Sequence, residues 1–414
     1  MRSDELIVGL DIGTTKVCCI VAELSPDGEL EIIGMGTSPS RGLRKGLVIN
    51  IENTVQSIRQ AVDEAETMSG REIDEVYTGI SGGHIYGMNS KGMVVVKGEI
   101  REEDIQRVLE SAKAVNIPLD REVIHILPQE FIVDDHDGIR DPIGMTGVRL
   151  EAKVHIITAA VTSTQNLIKC CHRAGLHVAD IVLQHLASAE AVLDSDEKDL
   201  GVAIVDMGGG TTDLAIFTEG TLKYTSVISI GGNHFTNDIA IGLRTPIAEA
   251  EKIKKKWGVC SPERVEEDDW IEVPSVSSLK PSRIPRRDLA KIIEPRAEEL
   301  IQFVEEELKK SGFKDLLGAG IVFTGGSSQL KGLVEMAEEA IHLPCRLGIP
   351  RRVGGLSDIV QAPQFATGLG LVLYGAKFHE KVGRRRFRIR EGNLFEKVHR
   401  RMREWWEDVK TALF

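Results

Sequence analysis

The stretch that decides the fold runs Val202-Ala-Ile-Val205, Asp206-Met-Gly208-Gly209-Gly210-Thr211-Thr212-Asp213, Leu214-Ala-Ile-Phe217. Two short β-branched runs flank a turn of glycines and hydroxyls, which reads as a buried β-hairpin. Glycine lacks a Cβ, so such a turn bends tightly and brings backbone N–H groups up to phosphate oxygens. The threonine hydroxyls add donors. The strand-end Asp206 can hold a magnesium ion, through water, that in turn favours phosphate.

Working outward, the same pattern stands near the N-terminus. Leu6-Ile-Val-Gly-Leu10 leads into Asp11-Ile12-Gly13-Thr14-Thr15-Lys16 and then Val17-Cys-Cys-Ile-Val21. Asp11 lies 195 residues before Asp206, so the chain reads as two related halves. Two such turns facing each other clamp a polyphosphate from both sides, with Asp11 and Asp206 as the magnesium-holding pair. Either turn alone is equally a tight turn on a capped strand; the repeat in the same context favours the clamp. A third element is the strand Gly320-Ile-Val-Phe323 followed by Thr324-Gly325-Gly326-Ser327-Ser328, leading into a helix expected from about Leu330. A fourth is Gly231-Gly232-Asn233 after an expected strand at Ser226–Ile230.

Composition bounds the rest. The 414 residues predict two to four domains with ample core. Hydrophobic residues at 42% and charged ones at 28% are ordinary for a globular chain, and no apolar run reaches the length of a membrane span. The opening Met-Arg-Ser-Asp-Glu has no signal-peptide character, and a cytoplasmic chain is expected. The six cysteines, at 18, 19, 170, 171, 260 and 345, fit neither a zinc pattern nor a disulfide framework and are expected to be buried thiols. The scattered histidines offer no ligand spacing, so a metal held by protein side chains alone is not expected.

The net charge of −12 is a sum of opposites. From Lys377 to Phe414 there are 12 basic and 6 acidic side chains, net +6, which leaves −18 for the body. That body argues against a nucleic-acid coat. Residues 378–392 form a basic stretch without periodicity, read as a flexible linker spanning about 20 Å as a coil. Asn393 and Glu396 then form a capping box. Leu394, Val398, Met402, Trp405, Val409 and Leu413 recur at helical spacing, Phe395 and Trp406 widen the stripe, and Phe414 closes it. Arg400, Arg401 and Arg403 fall beside the stripe. A helix with tryptophans on one side and arginines next to them suits the boundary of an anionic lipid membrane.

These motifs, in this order, resemble the actin/Hsp70/sugar-kinase ATPase superfamily. The resemblance implies ATP with Mg2+ as the cofactor. It assigns phosphate-one to Asp11–Lys16, phosphate-two to Asp206–Asp213 and the adenosine motif to Ile321–Ser328. Connecting helices follow at Gln184–Leu193 and Gln361–Tyr374, where Gly368 and Gly370 suit a close helix crossing. The superfamily's adenine clamp, a Glu with a Lys three residues later, matches Glu251 and Lys254. The water-orienting Gln or Glu at the start of the connecting helix matches Gln184, followed by His185 where relatives commonly have proline. Glutamine is a poor general base, so slow turnover is expected and a metabolic enzyme is not.

Within the superfamily, Leu183-Gln-His-Leu-Ala-Ser-Ala-Glu-Ala-Val192, Ile292-Ile-Glu-Pro-Arg-Ala-Glu-Glu299, the insertion after Gly83 and the tail together resemble the FtsA family of actin-like bacterial division proteins. The fold implied is α/β: an actin-like ATPase fold of two related halves around a nucleotide cleft, with a 1C subdomain inserted in the first half and a C-terminal amphipathic helix. The boundaries expected are 1–83 and 163–200 for subdomain 1A, 84–162 for 1C, 201–230 and 319–377 for 2A, 231–318 for 2B, 378–392 for the linker and 393–414 for the membrane-targeting helix. The resemblance implies anchoring of the FtsZ ring to the cytoplasmic membrane at the septum. It further implies docking of the FtsZ C-terminal peptide on 2B, self-association into filaments and recruitment of later division proteins through 1C. The helix around Asp288–Lys310 is the place to look for the FtsZ surface, and Glu305-Glu-Glu307 on it reads as a solvated face. A pilus-assembly adaptor of the PilM type and a metabolic kinase of the same fold are the other readings; the C-terminal helix argues against both.

Overall fold

The structure, a computed structural model, describes residues 5–25, 28–274, 281–351 and 353–382, with side chains in the last segment to residue 377. The stripe from Leu394 to Phe414 and most of the basic linker lie outside the described residues. The first half opens with strands β1 (Glu5–Ile12), β2 (Lys16–Leu24) and β3 (Leu30–Pro39), helix α1 (Ile51–Ser69) and strand β4 (Glu75–Ile80). Both runs around the first turn are buried on both faces, as their unbroken apolar character requires. The Asn50 side chain caps α1 by accepting from the Asn53 N–H at 3.0 Å, and Gly70 ends it in the left-handed region at φ 67°.

The insertion follows as β5 (Tyr86–Glu99), α2 (Glu102–Lys113), β6 (Arg121–Val133), β7 (His136–Ile139) and β8 (Thr146–Ala160). Its sheet runs β5-β8-β6-β7. Val108, Leu109, Phe131, Leu150 and Ile156 form a hydrophobic core separate from those of the two halves. That private core makes it a small α/β unit of its own. Helix α2 lies so close on β5 that a Cβ at Gly92 would strike its backbone.

The chain returns through α3 (Val161–Ala174), β9 (His177–Leu183) and α4 (Gln184–Val192). The second half repeats the hairpin as β10 (Val202–Met207) and β11 (Thr212–Thr218), and adds β12 (Thr221–Ile228), α5 (Gly232–Leu243), α6 (Ile247–Trp257) and α7 (Arg286–Ser311). It closes with β13 (Gly320–Thr324), α8 (Leu333–Ile341), β14 (Cys345–Leu347), β15 (Gly354–Gly355) and α9 (Ala366–Val382). The first sheet is ordered β9-β4-β1-β2-β3-β15 and the second β12-β11-β10-β13-β14. In each, an antiparallel hairpin is joined on its first strand by a parallel neighbour, β1 by β4 and β10 by β13.

Several expected boundaries shift for local reasons. The helix expected from Leu330 begins at Leu333: Gly326–Gln329 is a 3-10 turn, and Gly332 at φ 84° starts the helix afresh. The strand expected at Ser226–Ile230 is β12, which ends two residues earlier. The helix expected over Gln361–Tyr374 is a 3-10 turn at Pro363–Phe365 followed by α9, because the proline keeps Ala362 extended. Helix α9 then continues to Val382, into the stretch expected as linker. Of the six free cysteines five are buried, and Cys345 is half-buried.

Helices α4 and α9 cross behind the two hairpins. A Cβ at Gly370 would overlap the Ala187 carbonyl oxygen, and one at Gly368 would meet Ile20. The small residues set the crossing distance. Gly370→Ala therefore loses about 2 kcal/mol from overpacking, despite alanine's better helix propensity. Urea unfolding, with the midpoint lowered and the slope unchanged, checks this.

Candidate nucleotide cleft

The two turns meet face to face across a cleft of about 220 Å³ between the halves. Asp11, Gly13, Thr14, Thr15 and Lys16 line it from one side, and Asp206, Gly208, Gly209, Gly210, Thr211 and Asp213 from the other. Gly325, Gly326 and Ser327 line it too, with Gly232 and Asn233 and with Glu251 and Lys254. The turns interlock: a Cβ at Gly209 would strike Thr15, and one at Gly210 would come within 2.8 Å of the Thr14 hydroxyl. The glycine run is thus required by close approach of the opposite turn.

Three carboxylates converge here, all buried. Asp11 is pushed up to about 6, by desolvation and by Asp206 nearby, with Lys16 opposing. Asp213 is pushed up to about 7, mainly by burial, although Ser81 and Thr211 donate to it at 2.7 and 3.1 Å. Asp206 is raised by burial too, and accepts from Ser188 of α4 at 2.5 Å and Thr367 of α9 at 3.3 Å. Buried acids raised in this way are a donor set that a cation satisfies. Among the described residues no three such side chains form a metal cage of their own; Asp11 and Asp206 fit a magnesium ion only as carboxylates acting through water.

Gln184 opens α4 and donates through Nε2 to Asp11 Oδ1 at 3.1 Å, so the expected water-orienting residue sits beside the first turn. Its neighbour His185 is fully buried, with Nδ1 4.0 Å from Asp213 Oδ1. Burial drives its pKa down to about 3, so the ring is neutral. Lys16 donates to the Gln364 carbonyl at 2.5 Å and lies 4.0 Å over the Phe365 ring.

Lys254 donates to Gly232 O at 2.9 Å and Thr236 Oγ1 at 2.8 Å, and pairs with Glu251 at 2.7 Å. The Glu–Lys pair is part of the cleft and not a decoration of a solvated helix. One expected residue is not brought in: the Thr212 hydroxyl is buried and donates to the Ile230 carbonyl at 2.8 Å, because alternation along β11 turns it away from its neighbours Thr211 and Asp213. Glu307 corrects a second expectation. It is no solvated residue but accepts from Tyr224 at 2.8 Å and Ser226 at 2.6 Å on β12, tying α7 to the sheet.

Sequence reasoning missed Ser81, His84, Lys255, Gln364 and Thr367, which also line the cleft. Ser81-Gly82-Gly83 and the Gln364–Thr367 turn carried a Gly/Ser/Thr signal; nothing in the sequence marked His84.

Two matching hairpin sheets, crossing helices behind a shared cleft and a separate inserted unit define an actin-like ATPase fold. Among solved structures, a PilM–PilN type IV pilus biogenesis complex aligns with TM-score 0.67 at 17% identity, covering 91% of this chain and 99% of that one. MreB5 of Spiroplasma citri bound to AMPPNP aligns with TM-score 0.54 at 17% identity, covering 92% and 97%. In sequence, residues 203–370 match the family described as Cell division protein FtsA, and residues 82–158 match the SHS2 domain inserted in FTSA. The Cell division protein FtsA of Pseudomonas aeruginosa is 52% identical over 376 residues, 91% of this chain and 90% of that protein. The one from Escherichia coli K12 is 42% identical over 383 residues, 91% of each. The chain belongs to the FtsA family of cell division proteins.

The raised carboxyl pKa values have a consequence for stability without ligand. The folded chain holds protons on Asp11 and Asp213 that the unfolded chain, with the ordinary aspartate value of 3.8, releases. Their contribution is intact below pH 3.8 and is lost as pH rises to about 7. An Asp213→Asn variant cannot ionise there. Its melting temperature relative to wild type therefore rises as pH goes from about 5 to about 8, read by circular dichroism of the nucleotide-free protein.

Proposed function

We propose that this protein binds ATP with Mg2+ between its two halves and, as an actin-like filament on the inner face of the cytoplasmic membrane, anchors the FtsZ ring at the division septum. The observation that carries the nucleotide part is the facing pair of glycine turns with Asp11, Asp206 and Asp213 buried between them. Gly13, Thr14, Thr15 and Lys16 would hold phosphate from one side, and Gly208, Gly209, Gly210 and Thr211 from the other. Asp11 and Asp206 would hold the metal through water, which supplies charge neutralisation at the phosphates. The nucleoside would lie over Gly325, Gly326 and Ser327, against Gly232, Asn233 and Glu251.

Within the site the chain's own groups do three things. Ser188 and Thr367 fix one oxygen of Asp206. Ser81 and Thr211 fix Asp213. Gln184, held by Asp11, can orient a water but is too weak a base to take its proton, which supports slow hydrolysis.

The membrane part rests on the sequence of the tail, with its stripe of Trp405, Trp406 and Leu394 beside Arg400, Arg401 and Arg403. One such helix binds reversibly, and a filament presenting many copies binds far more firmly. The proposed subdomains keep the boundaries given above except that α9 carries the helix to Val382 and shortens the linker, with 84–162 available to later division proteins and α7 within 231–318 to the FtsZ peptide. A pilus-assembly reading has only the likeness of fold behind it.

Two measurements check this. In calorimetric titration with Mg2+ present, Asp206→Ala weakens ATP at least tenfold, the scale of a lost charged contact of about 1.5–3 kcal/mol. In sedimentation with phosphatidylglycerol-containing vesicles, FtsZ pellets only when this protein is added, and deleting 393–414 or changing both Trp405 and Trp406 to Asp abolishes it. Unchanged vesicle binding after the deletion removes the anchor.

A further inference from the structure

Thr236 is buried in the first turns of α5, and no sequence signal singled it out. Its hydroxyl has one proton. Two acceptors face it, the Gly232 carbonyl at 3.1 Å and the nearer Glu251 Oε2, and the hydroxyl itself accepts from Lys254 Nζ at 2.8 Å. The Lys254 ammonium has three protons, and all are spent inside the protein: on Gly232 O at 2.9 Å, on Thr236, and on Glu251 Oε2 at 2.7 Å. An ammonium with no N–H left over has nothing to offer a ligand.

Glu251 is in the opposite position. Its Oε2 is held by both neighbours, while among the described residues Oε1 has only the Lys255 ammonium at 3.3 Å, on a side chain 73% exposed. The Glu251 side chain is 29% exposed, and it lines the cleft. The open acceptor of this cluster is therefore Glu251 Oε1.

We infer that Thr236, together with Lys254, is a positioning residue that presents the Glu251 carboxylate to hydrogen-bond donors on the nucleoside part of the bound nucleotide. The inference rests on the nucleotide reading above and changes the role expected of Lys254, which acts through Glu251 and not on the ligand. Burial holds Lys254 below its usual range even beside Glu251, so its charge depends on the pair staying closed. Threonine suits the bridging place because its hydroxyl donates and accepts at once. Valine has the same shape and can do neither.

The test is a double-mutant cycle on full-length protein, read as ATP affinity by calorimetry in the presence of Mg2+, with a circular-dichroism melt to confirm folding. Thr236→Val weakens ATP about tenfold, as for a lost hydrogen bond to a charged group. Thr236→Ser, which restores the hydroxyl, stays within about twofold of wild type, and in a Glu251→Gln background Thr236→Val adds less than about twofold. Thr236→Ala gives the same reading if valine is not accommodated. Wild-type affinity in Thr236→Val, or the full tenfold loss in the Glu251→Gln background, overturns the inference alone. Failure of the wild type to bind ATP is a different result and overturns the nucleotide reading with it.

Discussion

The Asp206 carboxylate, held between hydroxyls of two crossing helices, sets how the two halves pack behind the cleft. Ser188 comes from the helix that follows the first half, and Thr367 from the helix that ends the second. A buried carboxylate without donors is costly, so the two helices must come close enough to serve it. Gly370 against the Ala187 carbonyl is what permits that approach. The same crossing brings Gln184 to Asp11 and so aligns the two turns. Fold and cleft are one arrangement here: the packing of the halves also gathers the charge.

The inserted unit meets the second half along β12 and at the turn before it, where Arg140 donates to the Glu219 carbonyl at 2.9 Å. From β12, the Lys223 carbonyl accepts from Asn89 at 3.4 Å, and the Thr225 hydroxyl lies 2.9 Å from His155, both on the insertion side. Tyr224 and Ser226, alternating with them, donate to Glu307 of α7. Because successive strand side chains face opposite ways, Thr225 meets the insertion while Tyr224 and Ser226 meet the long helix, and the Lys223 contact is made by the backbone. Its partner strand β11 carries Asp213, paired with Val227. The cleft, the insertion and α7 therefore share one two-stranded element.

Much of the cleft was legible from local sequence. A turn that must admit a facing backbone needs glycine, and a strand end that must hold charge needs aspartate, so the repeats at 11–16 and 206–213 carried their own meaning. Thr212 fails for a reason that local pattern also contains: strand alternation, which assigns it to the opposite face from Thr211 and Asp213. Glu305-Glu-Glu307 misled because a charge run on a helix reads as solvated unless the partner strand is known.

Local sequence specifies the two hairpins, the separate inserted unit, the glycine turns and the contrast between an acidic body and a basic, aromatic tail. These are properties of neighbours along the chain: apolar period, turn chemistry and charge. Only the tertiary structure decided that Ser81 and Thr367 serve buried carboxylates, that Lys254 spends every proton within the protein, and that Thr236 bridges it to Glu251. Each of those joins residues from different elements. Which hydroxyl reaches which carboxylate is fixed by how the sheets and helices pack, and no one-dimensional pattern encodes it.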